Sequence, residues 1–177
     1  MKTTGIIRRI DDLGRLVIPK ELRRSLRIKN GESLEIFVDG DDIILKKYSP
    51  MESIEDAAVK YVDSFNKVIK HSVIVTDKDK VIAASGSLKK KYLGKAISEF
   101  TDRSIERRDS FVERQRSSFS FVQDVEDLGY YSFSSIVYNG DTIGSVIIIS
   151  IESPILEYEE KMAVVLSKLL SEKFSVE

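Results

Sequence analysis

Two hydrophobic periodicities divide the chain. Residues 5–10 and 14–18 place apolar and charged positions in short, roughly alternating runs, joined by Asp11-Asp12-Leu13, with Gly5 and Gly14 supplying permissive backbone. This pattern predicts two short strands around a turn. Ile18 precedes a proline and is pushed toward extended geometry, while Pro19 suits a first helical position, so a helix over 19–26 is expected to follow. Lys29-Asn30-Gly31 reads as a turn. Leu34, Ile36 and Val38 then alternate with other positions, Asp39-Gly40 marks a reversal, and 43–47 returns as the second arm of a hairpin.

From Ser49 the period changes. Ser49 at N-cap, Pro50 at N1 and Glu52 at N3 have the spacing of a capping box, and Ile54, Ala57, Ala58, Tyr61, Val62, Phe65, Val68 and Ile69 form an apolar stripe, predicting a helix over 50–70 on a short, stiff junction. Strands are expected over 72–76 and 81–85 around the turn 77–80, and 86–91 is a lysine-rich loop or helix start. A helix is expected over 93–108, weakened at its start by Gly94. Antiparallel strands follow over 117–122, 130–138 and 142–151, the last two joined by Asn139-Gly140. Ser153-Pro154 opens a final helix to Phe174, with Leu156, Val165, Leu166, Leu169 and Leu170 expected on its buried side. The fold class is α+β: a small β-rich unit over 1–49, then a domain over 50–177 with a central antiparallel sheet and two long terminal helices.

Size adds an expectation about assembly. About 48 residues, with no metal or disulfide, bury little apolar surface alone, and association is the usual remedy, so the first unit is expected to dimerise. The two long helices are expected to pair with counterparts in another chain, which would make a tetramer.

Of the 177 residues none is Cys and one is His, His71, which removes disulfides, thiolate metal sites, cysteine nucleophiles and His-dependent triads. His71 reads as a helix C-terminal cap or surface residue. Catalytic residues, cofactors and metals are therefore expected to be absent. The longest wholly apolar run is far too short to cross a bilayer and no leader pattern is evident, so a cytoplasmic protein without membrane contact is expected. Asp11 and Asp12 are explained by turn chemistry rather than as an acid–base pair.

Charge changes the picture most. Residues 1–29 hold nine Lys and Arg against three acids, a formal +6 in a chain of net charge -1. Lys20, Arg23, Arg24 and Arg27 fall at i, i+3, i+4 and i+7, one helical stripe, while Leu22 and Leu26 share the opposite side. Like charges so arranged repel, by a few tenths of a kcal/mol per adjacent pair on roughly the usual scale. A stripe left unbalanced beside Arg8, Arg9 and Arg15 suits an anionic partner, and a two-fold dimer suits double-stranded DNA. The candidate DNA-binding residues are Arg8, Arg9, Arg15, Lys20, Arg23 and Arg24. Lys89, Lys90 and Lys91 read as a solvated edge.

The stretch from Thr4 to Arg24, TGIIRRIDDLGRLVIPKELRR, continued by Leu34-Glu35-Ile36-Phe37-Val38 and Ile43-Ile44-Leu45-Lys46-Lys47-Tyr48, resembles the signature of the AbrB-type swapped-hairpin transcription regulators. The resemblance covers about the first fifty residues. It implies a dimeric DNA-binding module with interleaved hairpins. The whole chain is similar to a two-domain member from endospore-forming bacteria, which implies a GAF-type second domain and a role in spore development, as activator or repressor. Such domains hold small ligands between the sheet and the middle helices. Tyr130, Tyr131, Phe133 and Tyr138 would line such a pocket or simply pack, and packing is the simpler account. Two other readings compete: an antitoxin-like protein-binding module on the same fold, against which the folded pattern of 50–177 counts, and a carboxylate-only hydrolase in residues 51–177.

Overall fold

The computed structural model describes residues 5–173, with the side chain of Glu52 excepted. The chain divides into two compact units, Met1–Tyr48 and Ser49–Glu177.

In the first unit, α1 (Lys20–Ser25) follows Pro19, and β1 (Leu34–Asp39) pairs antiparallel with β2 (Asp42–Lys47). Ile36 faces Leu45, Phe37 faces Ile44 and Val38 faces Ile43, and Gly40, at φ +59°, takes the left-handed backbone that the two-residue reversal needs. The strands expected over 5–10 and 14–18 are absent. An extended segment becomes a strand only against a partner edge, and within one chain these segments have none. Ile7, Ile10, Leu13 and Val17 are all exposed, as are Ile36, Val38 and Ile43 of the hairpin. Leu26, expected on a buried side, is 58% exposed. Pro19 is the one buried residue between 5 and 48. A unit with so little interior leaves its apolar surface uncovered.

The second unit is a three-layer sandwich around a five-stranded antiparallel sheet of order β4-β3-β7-β6-β5. Its strands are β3 (Ser72–Thr76), β4 (Val81–Ala84), β5 (Ser110–Phe119), β6 (Asp127–Tyr138) and β7 (Asp141–Ser150). β7 is central and buried on both faces. Period-two alternation sends Val73, Val75, Val146 and Ile148 toward one core, under α3 (Glu55–Ile69) and α6 (Glu157–Lys173). It sends Ile74, Phe133, Ile147 and Ile149 toward the other, beside α4 (Lys89–Tyr92) and α5 (Glu99–Glu106). Burying two faces of a sheet is the main stabilising feature of this unit, since the effect scales at about 25 cal/mol per Å² of apolar area.

Several boundaries differ from the sequence expectation. The helix expected over 50–70 is two, α2 (Pro50–Ser53) and α3, broken at Ile54; the box partner Glu52 lies outside the described side chains. The strand expected at 117–122 is β5, which begins at Ser110. The helix expected over 93–108 begins only at Glu99, where Ser98 caps it by accepting from Thr101 N–H at 3.2 Å. α6 begins at Glu157 rather than at Pro154, and Glu159 at N3 accepts from Leu156 N–H at 2.7 Å, the returning half of a capping box. Along α6, Ala163, Leu166 and Leu170 are buried, whereas Leu156, Val165 and Leu169, expected inside, point outward. His71 is neither a free surface residue nor a cap: its Nε2 lies 3.2 Å from Oε1 of the buried Glu159.

Between the sheet and the middle helices, where the resemblance would put a ligand, the rings pack on one another, the simpler of the two accounts. Phe111 stacks on Phe133 at 5.1 Å, and Tyr131 meets Phe119 and Phe121 edge-on, each at 5.0 Å. Burial pushes the Tyr131 phenol up from its ordinary range. Of the four aromatics named from sequence, Phe133 and Tyr131 pack here, and Tyr130 and Tyr138 pack against the other core.

Candidate nucleic-acid interface

The basic residues of the first unit sit on three supports. The first is the turn at Asp11. Its Oδ1 accepts from Leu13 N–H at 3.0 Å and from Arg15 N–H at 2.8 Å, while Gly14 N–H donates to the Asp11 carbonyl at 2.9 Å. Gly14 takes φ +75°, open only to glycine without strain. This is Asx-turn chemistry, as the sequence implied. Asp11 Oδ2 also receives Nε of Arg15 at 2.7 Å. The Arg15 backbone N–H, then its side chain, hold the Asp11 carboxyl below the usual carboxylate range.

The second support is α1. Lys20, Arg23 and Arg24 lie at i, i+3 and i+4, the spacing of one helical side. Lys20 and Arg24 are exposed and have no carboxylate partner among the described residues. Arg23 is different. It is half-buried, its Nη1 donates to Asn30 Oδ1 at 2.9 Å, and its Nε is buried with no partner. Asn30 was not singled out in the sequence beyond its place in a turn. A side-chain acceptor seven residues from Arg23 gives no periodic signal.

The third support is the helix end. Arg27 N–H donates to the Arg24 carbonyl at 3.2 Å and Ile28 N–H to the Arg23 carbonyl at 2.7 Å, the paired bonds of a Schellman motif, with Arg27 at φ +53°. Arg27 therefore leaves the helical stripe that the sequence assigned it. Its carbonyl accepts from Lys47 Nζ at 3.3 Å, and Lys47 in turn pairs with Glu32 at 3.1 Å, which ties the helix end to β2. Arg8 and Arg9 are exposed on the arm before the turn, with Arg8 Nη1 on the Ile7 carbonyl at 3.0 Å.

Comparison with known proteins gives this basic unit a context. Residues 7–53 match the family described as "Antidote-toxin recognition MazE, bacterial antitoxin", and residues 53–175 match "Stage V sporulation protein T C-terminal, transcription factor". The stage V sporulation protein T of Bacillus subtilis (strain 168) is 50% identical over 163 residues, 91% of this chain and 92% of that protein. The chain belongs to the stage V sporulation protein T family. It is a transcription regulator of the sporulation class that this family defines.

Within the family chain, the first unit is also 62% identical over 50 residues to the transition state regulatory protein AbrB of the same organism, 28% of this chain and 52% of that one. The second unit has the GAF fold. The GAF domain of an Acinetobacter phosphoenolpyruvate-protein phosphotransferase superposes with a TM-score of 0.55 at 15% identity, over 71% of this chain and 82% of that one. No helix among the described residues is long and apolar enough to cross a membrane.

Proposed function

We propose that this family member binds double-stranded DNA through the unit over 1–49, with Arg8, Arg9, Arg15, Lys20, Arg23 and Arg24 as the contacting side chains. The observation that carries this is the exposure of Lys20 and Arg24 on one side of α1 with no carboxylate to neutralise them. Arg15 presents its guanidinium from a turn already fixed by Asp11, and so loses little freedom on binding. Guanidinium forks match phosphate oxygens and the O6 and N7 acceptors of guanine. The identity to a transition state regulator over this unit supports the same reading.

The unit works as a dimer, its partner covering the apolar hairpin faces that one chain leaves in water. The unit over 50–177 associates further, to a tetramer, through the outward apolar positions Val68 of α3 and Tyr158, Val165 and Leu169 of α6. It senses a small molecule rather than turning one over, and the protein works in the cytoplasm.

The match of 7–53 to an antitoxin family favours one other reading, a protein-binding module. Against it stands the second unit, a folded domain that buries two cores of its own rather than the short tail such a module uses. The deciding experiment is fluorescence anisotropy of a labelled mixed-sequence duplex titrated with the full chain over a salt series. Affinity falling steeply with salt, with a log–log slope near -0.9 for each phosphate neutralised, is expected. Binding absent at low salt, or insensitive to Arg24→Glu, overturns the assignment.

A further inference from the structure

We infer that the second unit carries an outer ligand cleft between α5 and the start of β5, built for a free α-amino acid with an apolar side chain. The inference rests on the reading of this unit as a sensor. The interior face beside the sheet is closed by packed rings, so a ligand has no room there without repacking the core. Beside it lies an open cleft of about 540 Å³, within the size range of small-molecule sites.

The cleft's floor is apolar. Phe100, 45% exposed, meets Phe111 edge-on at 6.1 Å, and Phe111 stacks on the buried Phe133. Phe100, Arg103 and Arg107 fall at i, i+3 and i+7, so one side of the helix and its C-terminal extension lines the cleft. Its charges are not equivalent. Arg103 already has a carboxylate partner, Glu99, one helical turn away. The Arg107 guanidinium and the Asp109 carboxylate have no side-chain partner among the described residues, and they do not pair with each other although both line the cleft.

The backbone at Asp109 is pinned: its N–H donates to the Ser104 carbonyl and its carbonyl accepts from Ser135 N–H, each at 3.0 Å. One free cation and one free carboxylate thus stand beside an aromatic floor, with the carboxylate's main chain fixed in advance. A simple carboxylate would satisfy Arg107 and oppose Asp109; a simple amine would do the reverse. A zwitterion satisfies both, its carboxylate on Arg107 and its ammonium on Asp109, with its side chain against Phe100 and Phe111.

The test is isothermal titration calorimetry of the full chain with L-phenylalanine and L-leucine, alongside N-acetyl-L-phenylalanine and L-phenylalanine amide. Arg107→Ala and Asp109→Asn are titrated in parallel, with circular dichroism to check folding. Both residues lie at the surface of the cleft, so both variants should fold. Expected is binding of the free amino acids, weakened about tenfold or more by removing either ligand charge or either protein charge, consistent with one charge-assisted bond lost each time. No binding of either amino acid, or binding unchanged in both variants, overturns the cleft. If instead a mixed metabolite extract raises the melting temperature equally in wild type and Arg107→Ala, the sensor reading stands and this site falls.

Discussion

Arg15 and Asp11 are joined twice, once through the arginine backbone N–H at 2.8 Å and once through Nε at 2.7 Å, so one carboxylate sets both where the chain turns and where the guanidinium points. Two effects then oppose each other in Asp11→Ala. If this surface faces DNA as proposed, removing a negative charge from it should tighten binding, whereas losing the turn should release Arg15 and weaken it. The pair is exposed, where screened ion pairs are worth little, so the turn should win and anisotropy should report weaker DNA binding, not tighter.

Acid should act on the same turn. A carboxyl held below its ordinary value contributes stability that is present above its unfolded pKa and is lost as pH falls through its folded pKa. The Asp11 turn is therefore expected to persist through mild acid and to open only below the ordinary carboxylate range. The amide resonances of Leu13 and Arg15, followed by NMR across that range, should move together with one midpoint.

Arg23 and Arg24 are neighbours with different duties. Arg24→Ala should cost DNA affinity, by about 1 to 3 kcal/mol if it reads a base, and leave the melting temperature alone. Arg23→Ala should cost both, because it also gives up the bond to Asn30, worth roughly 1 kcal/mol. Asn30→Ala separates the two roles: thermal stability should fall as in Arg23→Ala, while most of the DNA contact remains. Equal melting temperatures for all three variants would remove the structural role given to Arg23.

Arg27 occupies a left-handed site at a helix end where glycine is the usual resident. Arg27→Gly should relieve the strain and stabilise the chain by up to about 1 kcal/mol, offset partly by greater freedom when unfolded. Calorimetry should find the first unit's transition moved upward.

The hairpin makes an assembly prediction. Ile36 is 66% exposed in the single chain, so Ile36→Asp costs that chain little packing of its own. If a second copy covers this face, the substitution should shift the mass measured by light scattering toward a smaller species and flatten the salt dependence of DNA binding.

Much of the second unit was legible because its strands either alternate or are continuously apolar. Ser72–Thr76 and Val81–Ala84 were found within a residue, and Asn139-Gly140 marked the β6–β7 reversal, with Asn139 at φ +49°. β5 was found only at its end, because an edge strand pairs on one side and is half in water, so Glu113-Arg114-Gln115-Arg116 carries no apolar signal. The break at Ile54 and the late start of α6 were hidden for a related reason: apolar period continues through both, and only backbone geometry ends the helix. In the first unit the basic residues were legible as charge. What could not be read was which of them the chain itself uses, since the hold of Asn30 on Arg23 and of Asp11 on Arg15 depends on turns that bring polar atoms together without periodicity.

The ring cluster has an optical consequence. The chain has seven tyrosines and no tryptophan, and six of the tyrosines lie in the second unit, with Tyr48 alone in the first. Tyr131 sits edge-on to Phe119, Phe121 and Phe111, a chiral and ring-shielded setting. Near-ultraviolet dichroism and intrinsic tyrosine emission will therefore follow one half of the molecule and be almost blind to the other, so the unfolding of the second unit can be watched by itself, without a label.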